Sequence, residues 1–204
     1  MGFIRKMWDV LRQPSAKYSL GVLLGGGLVA GAVGILFFNF VMLNGTSTTE
    51  FCATSCHEMS YAYEEWKESS HSSNRTGVQA GCADCHVPHA KDFGGWIDKI
   101  LAKMQAAKDT YHYIMGTYDT EEKYEAGRWT MANSVWARMK ARDSKECRYC
   151  HNIEAMKLSV QDRSARRKHA RAMKSGETCI DCHKGIVHEE PDEPEEEEEE
   201  TADE

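Results

Sequence analysis

Four stretches of the chain carry one short pattern of reactive side chains: Cys52-Ala-Thr-Ser-Cys56-His57, Cys82-Ala-Asp-Cys85-His86, Cys147-Arg-Tyr-Cys150-His151 and Cys179-Ile-Asp-Cys182-His183. All eight cysteines lie in these pairs, and a histidine follows the second cysteine every time. Two thiols about one turn of chain apart can add to the two vinyl groups of a porphyrin. The next side chain is then held beneath the ring, where an imidazole nitrogen reaches the metal; this is the attachment pattern of a c-type haem. Disulfide frameworks and zinc ribbons also use paired cysteines. Disulfides usually close longer loops, however, and a zinc ribbon does not require a histidine directly after each second cysteine. The first pair has three residues between its cysteines where the others have two, a longer arch that still spans the vinyl groups.

Four haems have eight axial positions. His57, His86, His151 and His183 supply one each, and His71, His89, His112, His169 and His188 are the remaining imidazoles, each a candidate sixth ligand. Two imidazoles on one iron lower its potential, whereas a thioether raises it. For His89 the plainer reading is an ordinary surface residue.

The elements that must position these groups follow from the rest of the chain. Residues 19–43 contain no charge; as a helix these 25 residues reach about 37 Å, more than the roughly 30 Å of a bilayer core. Arg5, Lys6, Arg12 and Lys17 precede this segment and no charge follows it before Glu50, which puts residues 1–18 in the cytoplasm and the haem domain in a bacterial periplasm. A cleaved signal peptide is the alternative, with Ala30-Gly31-Ala32 as its cleavage site, but the apolar run continues well past it. Gly27 and Gly31 form a small-xxx-small pair able to pack two anchors into a homodimer; in so glycine-rich a helix such a pair is more often incidental.

Residues 189–204 carry twelve acidic side chains and no basic one, the composition of a disordered, solvated tail. The formal charge of −7 belongs to that tail: residues 1–188 carry 25 basic against 20 acidic side chains. Residues 44–188 must therefore hold four macrocycles in about 145 residues, so the porphyrins themselves serve as the core. The pairs fall into two groups with internal spacing of about thirty residues, in the manner of a duplicated two-haem unit.

Between the groups, Trp96, Ile97, Ile100, Leu101, Met104 and Tyr111 recur at helical spacing over about 95–113, and Tyr124, Trp129, Ala132, Val135, Trp136 and Met139 do so over about 120–141. A third helix is predicted over 159–173, opening with Ser159 and Asp162 in a capping-box arrangement and carrying Arg163, Arg166, Arg167, Lys168 and Arg171. No alternating strand pattern appears. The fold class expected is mainly α: one N-terminal transmembrane helix and a small multihaem cytochrome c domain with much irregular chain.

With Phe51-Cys52 through Cys56-His57-Glu58-Met59, the anchor, the four sites and the closing Cys182-His183-Lys184-Gly185-Ile186-Val187-His188, the chain resembles the NapC/NirT family of membrane-anchored tetrahaem cytochromes over nearly everything but the acidic tail. The resemblance implies a protein that oxidises membrane quinol and passes electrons to a periplasmic reductase, periplasmic nitrate reductase foremost. It implies that Met59 replaces His57 as a ligand of the first haem, that His71 crosses to the fourth haem and that His169 crosses to the third. For the second haem His112 is the candidate and His188 the reserve. Lys103 and Asp109 match family positions associated with quinol binding beside the first haem. Read from the residues alone the two suit that task, because quinol oxidation releases two protons and needs a base and a donor near the quinol oxygens. The helix bearing Trp96, Ile97, Ile100, Leu101 and Met104 could lie at the lipid interface that supplies quinol. A solvated helix face explains Lys103 and Asp109 equally well.

The expected cofactors are four covalently bound haem c groups, with quinol, menaquinol or ubiquinol, as substrate. The expected partners are the bilayer and a periplasmic reductase; no nucleic acid is expected. A reductase acting directly on nitrite or hydroxylamine, and a structural anchor subunit, are the rival readings. The first needs an open iron in a cationic pocket, a constellation not visible in the sequence beyond the first haem.

Overall fold

The computed structural model describes residues 2–6 and 20–194. The chain separates into two compact units, Met1–Thr46 and Ser47–Glu204. The basic stretch expected at 1–18, apart from residues 2–6, and the acidic tail from 195 onward lie outside the described residues.

In the first unit, α1 (Leu20–Phe37) is apolar on every side and has no charge in its first or last turn, and its apolar side chains are exposed to the surroundings. A helix with no polar face suits a membrane interior. It runs on through a π-helical stretch (Phe38–Asn44) and a 3-10 turn (Gly45–Ser47). Asn44 Nδ2 donates to the Asn39 carbonyl at 2.9 Å and the Thr46 hydroxyl to the Met42 carbonyl, so the polar end bonds back to the helix. Val22–Ser47 gives 26 residues long and apolar enough to cross a bilayer, about 39 Å of helix.

The second unit is mainly helical with irregular connections, and no strand occurs among the described residues. Its helices are α2 (Thr49–Ser55), α3 (Met59–Glu68), α4 (Cys82–His86), α5 (Phe93–Gln105), α6 (Ala107–Ile114), α7 (Glu121–Ala141), α8 (Lys145–Cys150) and α9 (Arg163–Ser175). Side-chain caps set several starts: Thr48 Oγ1 accepts from Phe51 N, Asp92 Oδ1 from Gly95 N, and Thr120 Oγ1 from Lys123 N.

Two boundaries differ from the sequence prediction. The helix expected over 95–113 begins at Phe93 and breaks at Ala106 into α5 and α6, because Asp92 caps it two residues early. The helix expected from 159 begins at Arg163, since Asp162 is itself the cap, accepting from Ser164 N and Ala165 N. Ser159 lies in a separate 3-10 turn, Leu158–Val160.

Four short elements carry attachment cysteines, α2, α4, α8 and the 3-10 turn Cys179–Asp181: α4 packs on both α2 and α8, joining the two groups of motifs, and the 3-10 turn packs on α7. The α4 approach to α2 is so close that a Cβ at Gly81 would collide with Thr49 Oγ1. Between α7 and α8 the chain makes two consecutive left-handed residues, Asp143 and Ser144. Ser144 is fully buried, and its Oγ accepts from Ile180 N at 3.2 Å, tying the third motif to the fourth. Among the described residues of this unit the buried apolar side chains are Trp66 and Ile180. Two such side chains cannot offset the conformational entropy of more than a hundred ordered residues, about 1–2 kcal/mol each. The unit is built around something other than its own apolar side chains.

Candidate functional site

None of the eight cysteines is in a disulfide, and the electrostatic contacts between their sulfurs run in the sequence order of their motifs. Cys52 and Cys82 share a hydrogen bond that raises the Cys52 thiol and pulls Cys82 down to about 6. Burial, then the nearby Cys147, pushes Cys85 up to about 11. Burial, then Cys179, raises Cys147. The first motif thus neighbours the second, the second the third, and the third the fourth.

Across three of the four motifs a second imidazole faces the motif histidine. The His86 and His188 ring centroids are 6.2 Å apart, those of His71 and His151 6.3 Å, and those of His169 and His183 5.9 Å. Two imidazoles bound head-on to one metal, each with a metal–nitrogen bond of about 2.0 Å and a nitrogen about 1.1 Å from its ring centre, place their centroids about 6.2 Å apart. The three pairs fit an iron held between two histidines. His71 Nδ1 is buried without a hydrogen-bond partner, a polar atom whose exclusion from water costs about 1–3 kcal/mol unless a bound group compensates. His86 opens onto a cavity of about 210 Å³, lined also by Cys85, Arg138, Arg142 and Glu146. Desolvation, then the nearby charges of His188 and Arg138, lowers the His86 imidazole, the direction that favours the neutral form metal ligation requires.

These pairings differ from the expectations carried by the resemblance. His71 stands opposite the third motif instead of the fourth, and His169 opposite the fourth instead of the third. His169 projects from α9, and the loop holding His71 is folded back by Ala80 N donating to the His71 carbonyl and by Trp66 Nε1 donating to the Ala80 carbonyl. The place opposite His86 belongs to His188 and not to His112. The α6 helix ends at Ile114 and turns at Gly116 (φ +62°), which leaves His112 between Tyr111 and Tyr118 with Nδ1 3.1 Å from Thr117 Oγ1. The chain after His183 reverses at Gly185 (φ +66°), in a left-handed conformation that glycine adopts without strain, and this returns His188 toward α4. His89 lies flat on Tyr149 of the third motif, centroids 3.6 Å apart, and its Nε2 is 3.1 Å from the Asp84 carbonyl of the second. It clasps two motifs together and faces no motif histidine.

The first motif is different. The ring beside His57 is Tyr113, at 5.4 Å, and His57 Nδ1 is 3.8 Å from Glu58, whose carboxylate is buried. Met59 opens α3 and is partly exposed. Lys103 and Asp109, from α5 and α6, flank this motif. The Lys103 charge acts on the Cys52 thiol, and Asp109 joins burial and Glu58 in raising Cys56. Lys103 is half-buried, and burial lowers its ammonium below the usual range, as it does for Lys99 one turn earlier. On α5 the side chains Phe93, Ile97, Leu101 and Met104 make an exposed apolar stripe at helical spacing, and Tyr111, Ile114 and Met115 extend exposed apolar surface along α6 and just beyond it.

Two residues beside the paired imidazoles escaped the sequence analysis. Glu65 Oε2 accepts from His188 Nδ1 across 123 positions of chain, and Gln161 Oε1 accepts from His169 Nδ1. Nothing local marks either one; only folding brings each to its histidine.

Residues 13–193 match the NapC/NirT cytochrome c family, N-terminal region. The chain is 52% identical over 180 residues to a tetraheme cytochrome-c type protein of Allochromatium vinosum, covering 88% of this chain and 94% of that one. It is 48% identical over 184 residues to the denitrification system component NirT of Stutzerimonas stutzeri, covering 90% and 88%. To the cytochrome c-type protein NapC of Escherichia coli K12 it is 46% identical over 192 residues, covering 94% and 92%. No solved structure matches. With a match that spans most of its length and relatives aligned nearly end to end, the chain belongs to the NapC/NirT family of c-type cytochromes.

Proposed function

We propose that this chain is a membrane-anchored tetrahaem quinol dehydrogenase that takes electrons from quinol at the cytoplasmic membrane of a bacterium and delivers them to a periplasmic reductase. Residues 1–18 lie in the cytoplasm, 19–43 anchor the chain, 44–188 hold the haems in the periplasm, and 189–204 form a solvated acidic tail. The single observation that carries this reading is the row of four motifs in sequence order, with Lys103 and Asp109 beside the first of them.

Cys52 and Cys56, Cys82 and Cys85, Cys147 and Cys150, and Cys179 and Cys182 hold one haem each. The three imidazole pairs support His86 with His188, His151 with His71, and His183 with His169 as the side chains that would hold the irons of these sites. Met59, with His57 adjacent, serves the first iron. His112, held by Thr117, is not needed as a ligand. When bound, the haems supply one-electron redox chemistry that amino-acid side chains cannot.

The protein's part at the first site is to bind quinol and take its protons. Burial lowers the Lys103 ammonium, the direction that readies an amine to accept a proton. Asp109 is exposed and passes the second proton to solvent. The apolar stripe of α5 supports contact with the lipid surface from which quinol arrives.

Periplasmic nitrate reductase is the foremost acceptor. The relative described as a denitrification system component favours an acceptor that reduces a nitrogen oxide. Replacing Lys103 with Gln or Asp109 with Asn tests the site. Both variants are expected to keep four haems per chain while oxidation of a soluble quinol analogue falls by about 10²–10⁴-fold. Wild-type turnover in both variants refutes the assignment.

A further inference from the structure

The motif histidines are fixed by covalent attachment next door, but the histidines opposite them depend on what holds their other ring nitrogen. A carboxylate can only accept a hydrogen bond, so His188 Nδ1 donates to Glu65 Oε2, at 3.1 Å. Glu65 Oε1 accepts from Arg128 Nη1 at 2.6 Å, and Arg128 is also paired with Glu125. Two carboxylates and one guanidinium leave this cluster one net negative charge. The pair next to His188 is well covered, with the Arg128 side chain 11% exposed and that of Glu65 20%, whereas Glu125 is 49% exposed, so solvent screens Glu65 only in part. His169 Nδ1, by contrast, donates to the neutral amide oxygen of Gln161 at 2.7 Å. In both cases Nδ1 carries the proton and Nε2 is left with its lone pair for the metal. The two sites share a tautomer and differ in the charge behind it.

We propose that Glu65 and Gln161 are positioning residues that set unequal potentials for the second and fourth haems, the second lying lower because its distal imidazole, His188, is hydrogen-bonded to a carboxylate and His169 to an amide. An anion accepting the ring N–H raises the basicity of the ligating nitrogen, and a more basic ligand favours Fe(III) over Fe(II). This inference rests on the ligand pairs of the proposed function.

The test is a potentiometric titration of the detergent-purified four-haem protein, followed by visible and electron paramagnetic resonance spectra. Glu65→Gln keeps an acceptor for His188 and removes the charge. One potential is expected to rise so that its Fe(II)/Fe(III) ratio at fixed solution potential grows about tenfold, which is about 59 mV for one electron, with the low-spin signal retained. Gln161→Glu is expected to lower a different potential by a similar amount. Unmoved potentials in both variants, or the same haem responding to both, overturn the inference, and if Glu65→Gln fails to assemble, Gln161→Glu decides alone. A wild-type protein with fewer than four haems overturns the proposed function as well, whereas four haems with unmoved potentials overturn only this inference.

Discussion

Ser144 joins two attachment motifs through one hydrogen bond, and its replacement separates two energies that act in opposite directions. The residue is fully buried, left-handed (φ 47°, ψ 41°), and its Oγ accepts from Ile180 N at 3.2 Å. Ser144→Ala removes the acceptor and leaves the backbone N–H of Ile180, itself only 8% exposed, without a partner, a cost of about 1–3 kcal/mol. The alanine keeps the left-handed backbone and so recovers nothing. Ser144→Gly loses the same bond but relieves about 1–2 kcal/mol of steric cost, against about 0.5–1 kcal/mol of extra chain entropy in the unfolded state. The expected order of stability is serine, then glycine, then alanine. For a unit of this size each kcal/mol moves the melting temperature by about 2–4 °C, so the alanine variant should melt about 2–12 °C lower. The transition can be followed by circular dichroism in the haem absorption bands, which responds to the packing of the third and fourth sites. An alanine variant that melts at or above wild type, or a glycine variant that melts below alanine, refutes the reasoning.

His188→Ala should convert one haem from low-spin to high-spin and let it bind carbon monoxide when reduced, whereas His112→Ala should leave the low-spin count unchanged; the reverse result assigns the second haem to His112. The exposed basic side chains Arg163, Arg167 and Arg171 on α9, which also carries His169, should speed electron transfer to an anionic oxidant. Oxidation of the reduced protein by ferricyanide should therefore slow as salt rises toward 0.5 M and in the triple Glu variant, with no such fall for a cationic cobalt complex. Backbone N–H groups of Ala165 and Ser164 hold the Asp162 carboxyl below its usual 3.8. A depressed carboxyl stabilises the fold fully above the unfolded value and loses that contribution as pH falls through the folded one. Amide exchange in the first turn of α9 should accordingly accelerate below about pH 4, and in Asp162→Ala this pH step should vanish.

The attachment chemistry was legible because it is local. Two thiols and an imidazole within five or six positions reach one macrocycle whatever the rest of the chain does, and the uncharged run before them can be read without knowing any contact. Helix periods were legible for the same reason, but their starts were not: Asp162 reads equally as the third residue of a capping box or as the cap itself, and only the hydrogen bonds of Ser164 and Ala165 decide. The histidines opposite the motifs lie beyond such local rules. His188 reaches His86 through a reversal at Gly185, and His71 reaches His151 through a loop closed by Trp66 and Ala80. Resemblance supplied a partner for His71 and His169, yet the rings stand with each other's expected mates. A side-chain core that includes only Trp66 and Ile180 among the described residues of the second unit explains why spacing fails here. In an ordinary domain, apolar periodicity records which faces meet, but where macrocycles take the place of the core, the faces that meet are lined by histidines, arginines and carboxylates. Their partners are set by three-dimensional closure, so the Glu65–His188 bond across 123 residues is invisible until the chain is folded.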